Sequence, residues 1–403
     1  MPDTVPAAAL PSRDAYDVVV VGARVAGAST AMLLARAGLD VLAIERGRRG
    51  SDALSTLALM RGAVFQLRRW GLLEPLLATA PPAITVTTFH YGDAPLRLEL
   101  RPRDGVEALY APRRRVLDPL LGDAARTAGA EVVHELRVVA LERSPQGRVT
   151  GVVVEHPKAG RRVIAARWVV GADGADSTVA RLAGATVTRP ARNSSFFVYG
   201  FYSATGSEEL HWHFVPGAAA GHIPTHDGHA CVFCGANESR FAAEMRGDLE
   251  GGHARLLAAV APDLARRVAD APRQGSLHAF PGRHGFLRRP WGPGWALVGD
   301  AGYFKDPITA HGLSDALRDA ELLARALRQD SEAALAAYES ERDALSHPLF
   351  EITDRLAAHE GDLAEIQQLH IELNREMNRE VDYLAALPGA VAPGSARVPT
   401  RPA

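Results

Sequence analysis

Lysine is almost missing from this chain of 403 residues. Of its 45 basic residues only Lys158 and Lys305 are lysines, and the rest are arginine. Cysteine is nearly as scarce: Cys231 and Cys234 stand alone in a CxxC spacing, which excludes a disulfide framework. An excess of one charge is also lacking. Lys plus Arg total 45 and Asp plus Glu 47, a formal net charge of −2 that gives no reason to expect nucleic acid or an anionic membrane as partner. No apolar run reaches the roughly 18 residues of a spanning helix. The start, MPDTVPAAALPSRDAYD, has neither the basic opening nor the apolar stretch of a signal peptide. These absences lead to the expectation of a cytoplasmic protein without stable membrane insertion. With 47% hydrophobic and 23% charged residues, the composition is that of a globular protein, and the length calls for more than one domain.

The most informative stretch is DVVVVGARVAGASTAMLLARAGLDVLAIER. Val18–Val21 is wholly apolar and β-branched, as a strand buried on both faces would be. A turn at Gly22, a small-residue helix over Ala28–Ala37 and a second strand over Val41–Ile44 complete a βαβ unit. Gly22 permits the tight turn, and Gly27 lets helix and strand pack closely. Together with Ala23 and Ala26, these residues leave free N–H groups at a helix start, suited to a pyrophosphate. Glu45, 23 residues after Gly22, ends the second strand, where a carboxylate accepts ribose hydroxyls; Arg46 follows it. The middle glycine of the G-x-G-x-x-G pattern is Arg24, whose side chain either turns away or contacts a phosphate oxygen.

Two later segments sharpen the reading. Strand Trp168–Val170 runs into GADGADSTVAR, and strand Trp295–Val298 runs into GDAGYFKDPITAHGL, followed by a helix to about Arg328. This order of motifs, over about Asp17–Arg328, resembles the FAD-dependent aromatic hydroxylases, the group A flavoprotein monooxygenases typified by para-hydroxybenzoate hydroxylase. Geranylgeranyl reductases and flavin halogenases share the frame. The resemblance implies that Gly299 and Asp300 hold the flavin ribityl chain and that Asp173 and Gly174 lie near the pyrophosphate. It places Pro307 beside the isoalloxazine ring, with Gly312 and Leu313 opening the helix that faces the pyrimidine. Either Arg113 or Arg115, in YAPRRRVLDPLL, stands where the family has a cofactor-contacting arginine. His311 and Lys305 are the candidates for a catalytic role. His311 reads equally as a loop histidine bonded to backbone, and Lys305 as a solvated lysine.

Between the motifs, short alternating runs read as antiparallel strands, over Ile84–Leu100 and Asn193–Asn237. Phe197, Tyr199 and Phe201 share one strand face, and Phe196, Val198 and Tyr202 the other. Tyr199, Phe201 and His213 are the candidate substrate-pocket residues. His211, His213, His222, His226 and His229 lack the acidic partner or HxxxH helix of a metal centre, so no metal is expected. A spacing of three on a strand sends Cys231 and Cys234 to opposite faces, which favours buried packing over a redox pair.

The expected fold class is α/β: a Rossmann-like FAD-binding domain of the para-hydroxybenzoate hydroxylase type, with an inserted antiparallel-sheet substrate domain and C-terminal helices. Residues 1–15 read as a flexible leader. The FAD domain takes 16–80, 106–190 and 285–345, and the substrate sheet 81–105 and 191–284. A helical segment spans 346–390 and a loose tail 391–403. By resemblance the chain is an NAD(P)H-consuming monooxygenase of specialised metabolism, a monomer or homodimer. It would hydroxylate an aromatic or electron-rich small molecule with O₂ through a flavin C4a-hydroperoxide, using FAD as cofactor and NADH or NADPH as reductant. The main rival is a reductase of isoprenoid double bonds. A halogenase is disfavoured because HWHFVP stands where WxWxIP would. A non-catalytic scaffold would not need Glu45, Asp173 and Asp300 together.

Overall fold

A computed structural model describes residues 10–52, 58–92, 94–203 and 205–389. Residues 1–9 of the expected leader and the tail 391–403 lie outside them. Residues 10–14 are not free. The Ser12 backbone N–H and hydroxyl both donate to Glu131, and Arg13 pairs with Asp40 at 2.9 Å. The first strand, Ala15–Val21, accordingly begins three residues before the valine run.

That strand is central in an eight-stranded sheet. It pairs in parallel with Val41–Glu45 on one side, Val19 opposite Leu42, and with Gly160–Gly171 on the other, Val19 opposite Val169. Glu131–His134 and Trp295–Leu297 extend the parallel core outward. The buried valines divide by strand period. Val18 and Val20 pack with Leu33 of the Val25–Arg36 helix and Leu323 of the Gly312–Gln329 helix, whereas Val19 meets Val152 and Leu297 on the opposite face. Each such side chain taken from water contributes roughly 1.5–3 kcal/mol. The Val25–Arg36 helix starts inside the glycine motif, three residues earlier than its composition predicts.

The second sheet has seven strands, in the order Arg273–Phe280, Ser195–Ser203, His229–Asn237, Ala218–Pro224, Leu210–Val215, Val86–Tyr91 and Ala94–Glu99. It departs from the wholly antiparallel expectation at one pairing. Leu210–Val215 and Val86–Tyr91 run parallel, because they come from distant parts of the chain and no hairpin dictates their direction. Phe197, Tyr199 and Phe201 pack with Trp212 and Leu349 on one face, and Phe196, Val198 and Tyr202 with Leu256 and Leu264 on the other. Cys231 and Cys234 are buried one on each face. Burial pushes both thiols up, that of Cys231 to about 12, so neither is a reactive thiolate.

One helix, Glu332–Ala357, runs straight through the 345/346 division, and a second, Leu363–Ala386, returns along it. Asp362 and Glu365 close a capping box at the start of the latter. Among the described residues no helix is long and apolar enough to cross a membrane.

Candidate active site

A cavity of about 720 Å³ opens at the carboxyl ends of the parallel strands, with walls from both sheets. That position, beyond the strand ends of a parallel sheet, is where such folds take ligands. Gly22, Ala26 and Glu45 line one end, Asp173 and Gly174 the side, and Asp300, Lys305, Pro307, Gly312 and Leu313 the far wall. Phe197, Tyr199, Phe280 and Phe304 form an aromatic end.

The glycine turn is sterically obligatory. Gly22 has φ +98°, and a Cβ there would stand 2.3 Å from the Ala172 carbonyl oxygen. A Cβ on Gly27 would stand 1.8 Å from the Gly22 carbonyl oxygen, so only glycine lets the helix seat on the turn. The helix start carries no side-chain cap and no acid in its first turn, leaving its first N–H groups free toward the cavity. Glu45 is buried and held at both oxygens: the Ala23 N–H donates to Oε2 at 3.0 Å and the Gly47 N–H to Oε1 at 2.8 Å. Arg24 is tolerated because its backbone is extended, φ −88° and ψ −161°. Its guanidinium donates to Ser51 Oγ at 3.2 Å while still lining the cavity.

Asp300 presents its carboxylate to this cavity and is otherwise surrounded by protein. Burial, then the nearby Asp315, raise it to about 6. A carboxylate so placed favours a ligand that donates hydroxyls to it. The glycine cradle, the uncapped helix start and these two carboxylates together fit FAD. Replacing Asp300 by Ala removes a charged hydrogen-bond acceptor at about 1.5–3 kcal/mol, so FAD affinity should fall about 10- to 100-fold. A fluorescence titration giving wild-type affinity would refute the role.

Several expected residues are placed differently. Asp173 lines the cavity, but its carboxylate accepts from Ser177 Oγ at 2.5 Å and from the Thr178 N–H at 2.6 Å, fixing its own loop and the next helix. Neither Arg113 nor Arg115 reaches the cavity. Arg113 pairs with Asp52 at 2.7 Å and lies 3.5 Å over the Phe201 ring, and Arg115 pairs with Asp227. Arg114, between them, lines the cavity and is held by Asp118. Arg114 and Arg115 open a helix, where successive side chains point about 100° apart, so only one of the run faces inward. Phe201, covered by Arg113, does not line the cavity, and Tyr199 does. His213 sits on the opposite side of its strand from the core residues Trp212 and Phe214, stacked 3.9 Å from His90. Ala23, Gly27 and Gly299 shape the turns without lining the cavity, whereas Arg46 lines it.

Lys305 is not solvated. It is buried, lines the cavity, and pairs with Asp315. The His311 ring makes no bond to backbone; both ring nitrogens are buried without a hydrogen-bond partner, and Nε2 lies 3.4 Å from Glu380. These residues belong to a buried ionic network that sequence reasoning missed altogether. Arg318, fully buried, joins Asp315, Asp319, Glu380 and Ser346. Its only prior signal was a cluster of charges on an otherwise apolar helix.

Comparison with known proteins agrees with this geometry. A family model described as FAD binding domain matches residues 15–352. Digeranylgeranylglycerophospholipid reductase 2 of Methanopyrus kandleri is 31% identical over 343 residues, 79% of this chain and 79% of its own. The probable electron transfer flavoprotein-quinone oxidoreductase YdiS of Escherichia coli is 33% identical over 202 residues, and the match spans only 44% of its length. Among solved structures, flavin-dependent brominase Bmp2 has a TM-score of 0.78 at 20% identity, covering 91% of this chain and 93% of that one. PqsL of P. aeruginosa, in complex with 2-aminobenzoylacetate, has a TM-score of 0.75 at 24% identity, covering 90% and 100%. At those identities the structures speak for the fold alone. The matched cradle, the three motifs and the family model leave one conclusion: the chain belongs to the FAD-binding domain family and is a flavin oxidoreductase.

Proposed function

We propose that the protein is an NAD(P)H-consuming monooxygenase that hydroxylates a compact aromatic or electron-rich molecule. The observation that carries this reading is the shape of the aromatic end. Phe197 and Tyr199 line the cavity, but the apolar face continuing from them to Trp212 and Phe214 is already covered by Leu349, Ile352, Leu369 and Leu373 of the last two helices. A flat ring therefore finds aromatic walls, whereas a long isoprenoid chain finds its path filled by protein. The bound FAD would supply the redox chemistry and the activation of O₂. The protein's own part is to bind and orient: Glu45, Asp300 and the Gly22–Gly27 turn hold the nucleotide, and Phe197, Tyr199, Phe280 and Phe304 exclude water from the reacting ring. The identity to the Methanopyrus reductase over 79% of both chains favours a second reading, reduction of an isoprenoid double bond.

The two are separated by supplying NADH or NADPH with a panel of small phenols and anilines, in air and without oxygen. The proposal expects aromatic-stimulated reductant consumption matched by O₂ uptake. Anaerobic saturation of a geranylgeranyl lipid, with no aromatic stimulation in air, would overturn it.

A further inference from the structure

Beneath the cavity wall lies a cluster of buried charge that the functional reading leaves unused. Asp315 accepts Lys305 at one oxygen and Arg318 at the other. Arg318 also reaches Glu380 Oε2 at 2.6 Å. Glu380 comes from the Leu363–Ala386 helix, beyond the segment matched by the family model, and is 1% exposed. Its second oxygen, Oε1, has no hydrogen-bond partner and faces Nε2 of His311 at 3.4 Å, where neither ring nitrogen is bonded. His311 immediately precedes Gly312 and Leu313, which open the Gly312–Gln329 helix and line the cavity.

The charges around this contact balance in number but not in place. Asp315, Asp319 and Glu380 are three buried carboxylates against the three buried cations Lys305, Arg318 and Arg342, yet Glu380 Oε1 is left without a hydrogen-bond partner. Asp300 opens onto the cavity, and Asp343 is only partly buried. Arg114 is taken by Asp118. The Arg61–Arg69 helix contributes no charge to the contact: its Gly62 packs on Glu380, and both amide atoms of its Gln66 are buried without partners. The Glu332–Ala357 helix contributes Arg342 and Ser346. Tyr303 lies under Lys305 and Arg318. A buried carboxylate oxygen left without a partner costs more than a protonated one. His311, Asp315 and Glu380 lie close enough to suggest a metal. Lys305 and Arg318 already bring two positive charges to those carboxylates, which leaves no electrostatic room for a divalent ion.

We propose that Glu380 is a positioning residue of the flavin site, sharing one proton with His311 beneath the start of the Gly312–Gln329 helix and releasing or taking it as the charge in the cavity changes. The inference rests on the assignment of the cavity to FAD. With the proton present, the carboxyl O–H donates to His311 Nε2 and the helix start keeps its full positive potential toward the cavity. Without it, a carboxylate stands behind that helix start and opposes the entry of negative charge. When a chemical reductant delivers two electrons to the bound cofactor, Glu380 draws one proton from solvent. Burial, and the neighbouring Asp315, set its carboxyl at about 7, so the exchange falls near neutrality. The same burial, with Lys305, holds His311 at about 3, so the imidazole stays a neutral acceptor.

Glutamate labelled with ¹³C reads the proton directly in the unaltered protein, with or without FAD. Hydrogen bonds hold the carboxyls of Glu131, Glu209 and Glu250 below the usual range, opposite in direction to Glu380. One glutamate carboxyl should titrate near pH 7 and be missing in Glu380→Gln. Redox titration of the FAD-loaded protein should then show wild type taking up one more proton per two electrons, around neutrality, than Glu380→Gln. If Glu380→Gln does not fold, His311→Asn serves instead and should lower the midpoint of the labelled carboxyl. Glutamates all ionised well below neutrality, or equal proton uptake in both proteins, would overturn the proposal. Failure of wild type to bind FAD would overturn the functional reading and the coupling with it, and the carboxyl titration would show whether the Glu380 proton survives on its own.

Discussion

Arg318→Met should cost about 3–5 kcal/mol of stability, out of a total of about 5–15 kcal/mol for a folded protein of ordinary stability. Arg318 is 0% exposed and every N–H of its guanidinium is used. Nε and Nη2 both donate to Asp319 Oδ1, at 3.0 and 2.7 Å. Nη1 donates to Asp315 and Glu380, and Nη2 also to Ser346 Oγ. Methionine fills much of the volume but leaves three carboxylates facing one another with Lys305 and Arg342 as the remaining buried cations. Arg318→Lys keeps the charge yet has at most three donors and no planar fork, so it should recover only part of the loss. Urea unfolding decides the matter: a midpoint for Arg318→Met equal to wild type would show that the network contributes nothing to folding.

Gly27→Ala should abolish FAD retention and leave little soluble protein. The added methyl group would meet the Gly22 carbonyl oxygen at 1.8 Å and the Ala172 side chain at 3.0 Å. The first belongs to the glycine turn and the second to the loop after the Gly160–Gly171 strand packed against it, and neither is the yielding end of a flexible side chain. Overpacking of a rigid site costs typically 1–3 kcal/mol, and this contact is closer than most. Gly312→Ala is the control. Nothing lies within 4 Å of a Cβ at that position, yet the residue lines the cavity. Its apoprotein should unfold at the wild-type urea midpoint, and any loss should show in FAD affinity alone. A soluble, fully yellow Gly27→Ala protein would contradict the steric account.

The difference between these two glycines marks how far local sequence reaches. The pattern strand, glycine turn, helix, strand and acid is contiguous, and the interactions that enforce it act over a few residues. The alternation of aromatics in SFFVYGFYS likewise places Phe197 and Tyr199 on one face, because a strand has period two whatever it packs on. The triplet Arg113, Arg114 and Arg115 shows where this stops. All three satisfy the same local pattern, and the rotation of one helix against the parallel sheet chooses Arg114. His213 shows the same limit: strand period says which residues share its face, but not which face meets the cavity.

What the amino-acid sequence settled by itself was the nucleotide-binding turn, the three motif loops and the inert placing of the two cysteines, since each depends on steric rules internal to a short segment. The tertiary structure decided which arginine faces the cavity, that the aromatic end of the cavity is short, and that Lys305 and His311 sit over a buried ionic network. Those outcomes rest on partners remote along the chain: Glu380 is 62 residues from Arg318, and Glu321 is 251 from the indole of Trp70 that donates to it. Pairings of that kind are set by how whole helices dock, and burial then makes each unmatched charge costly enough to matter.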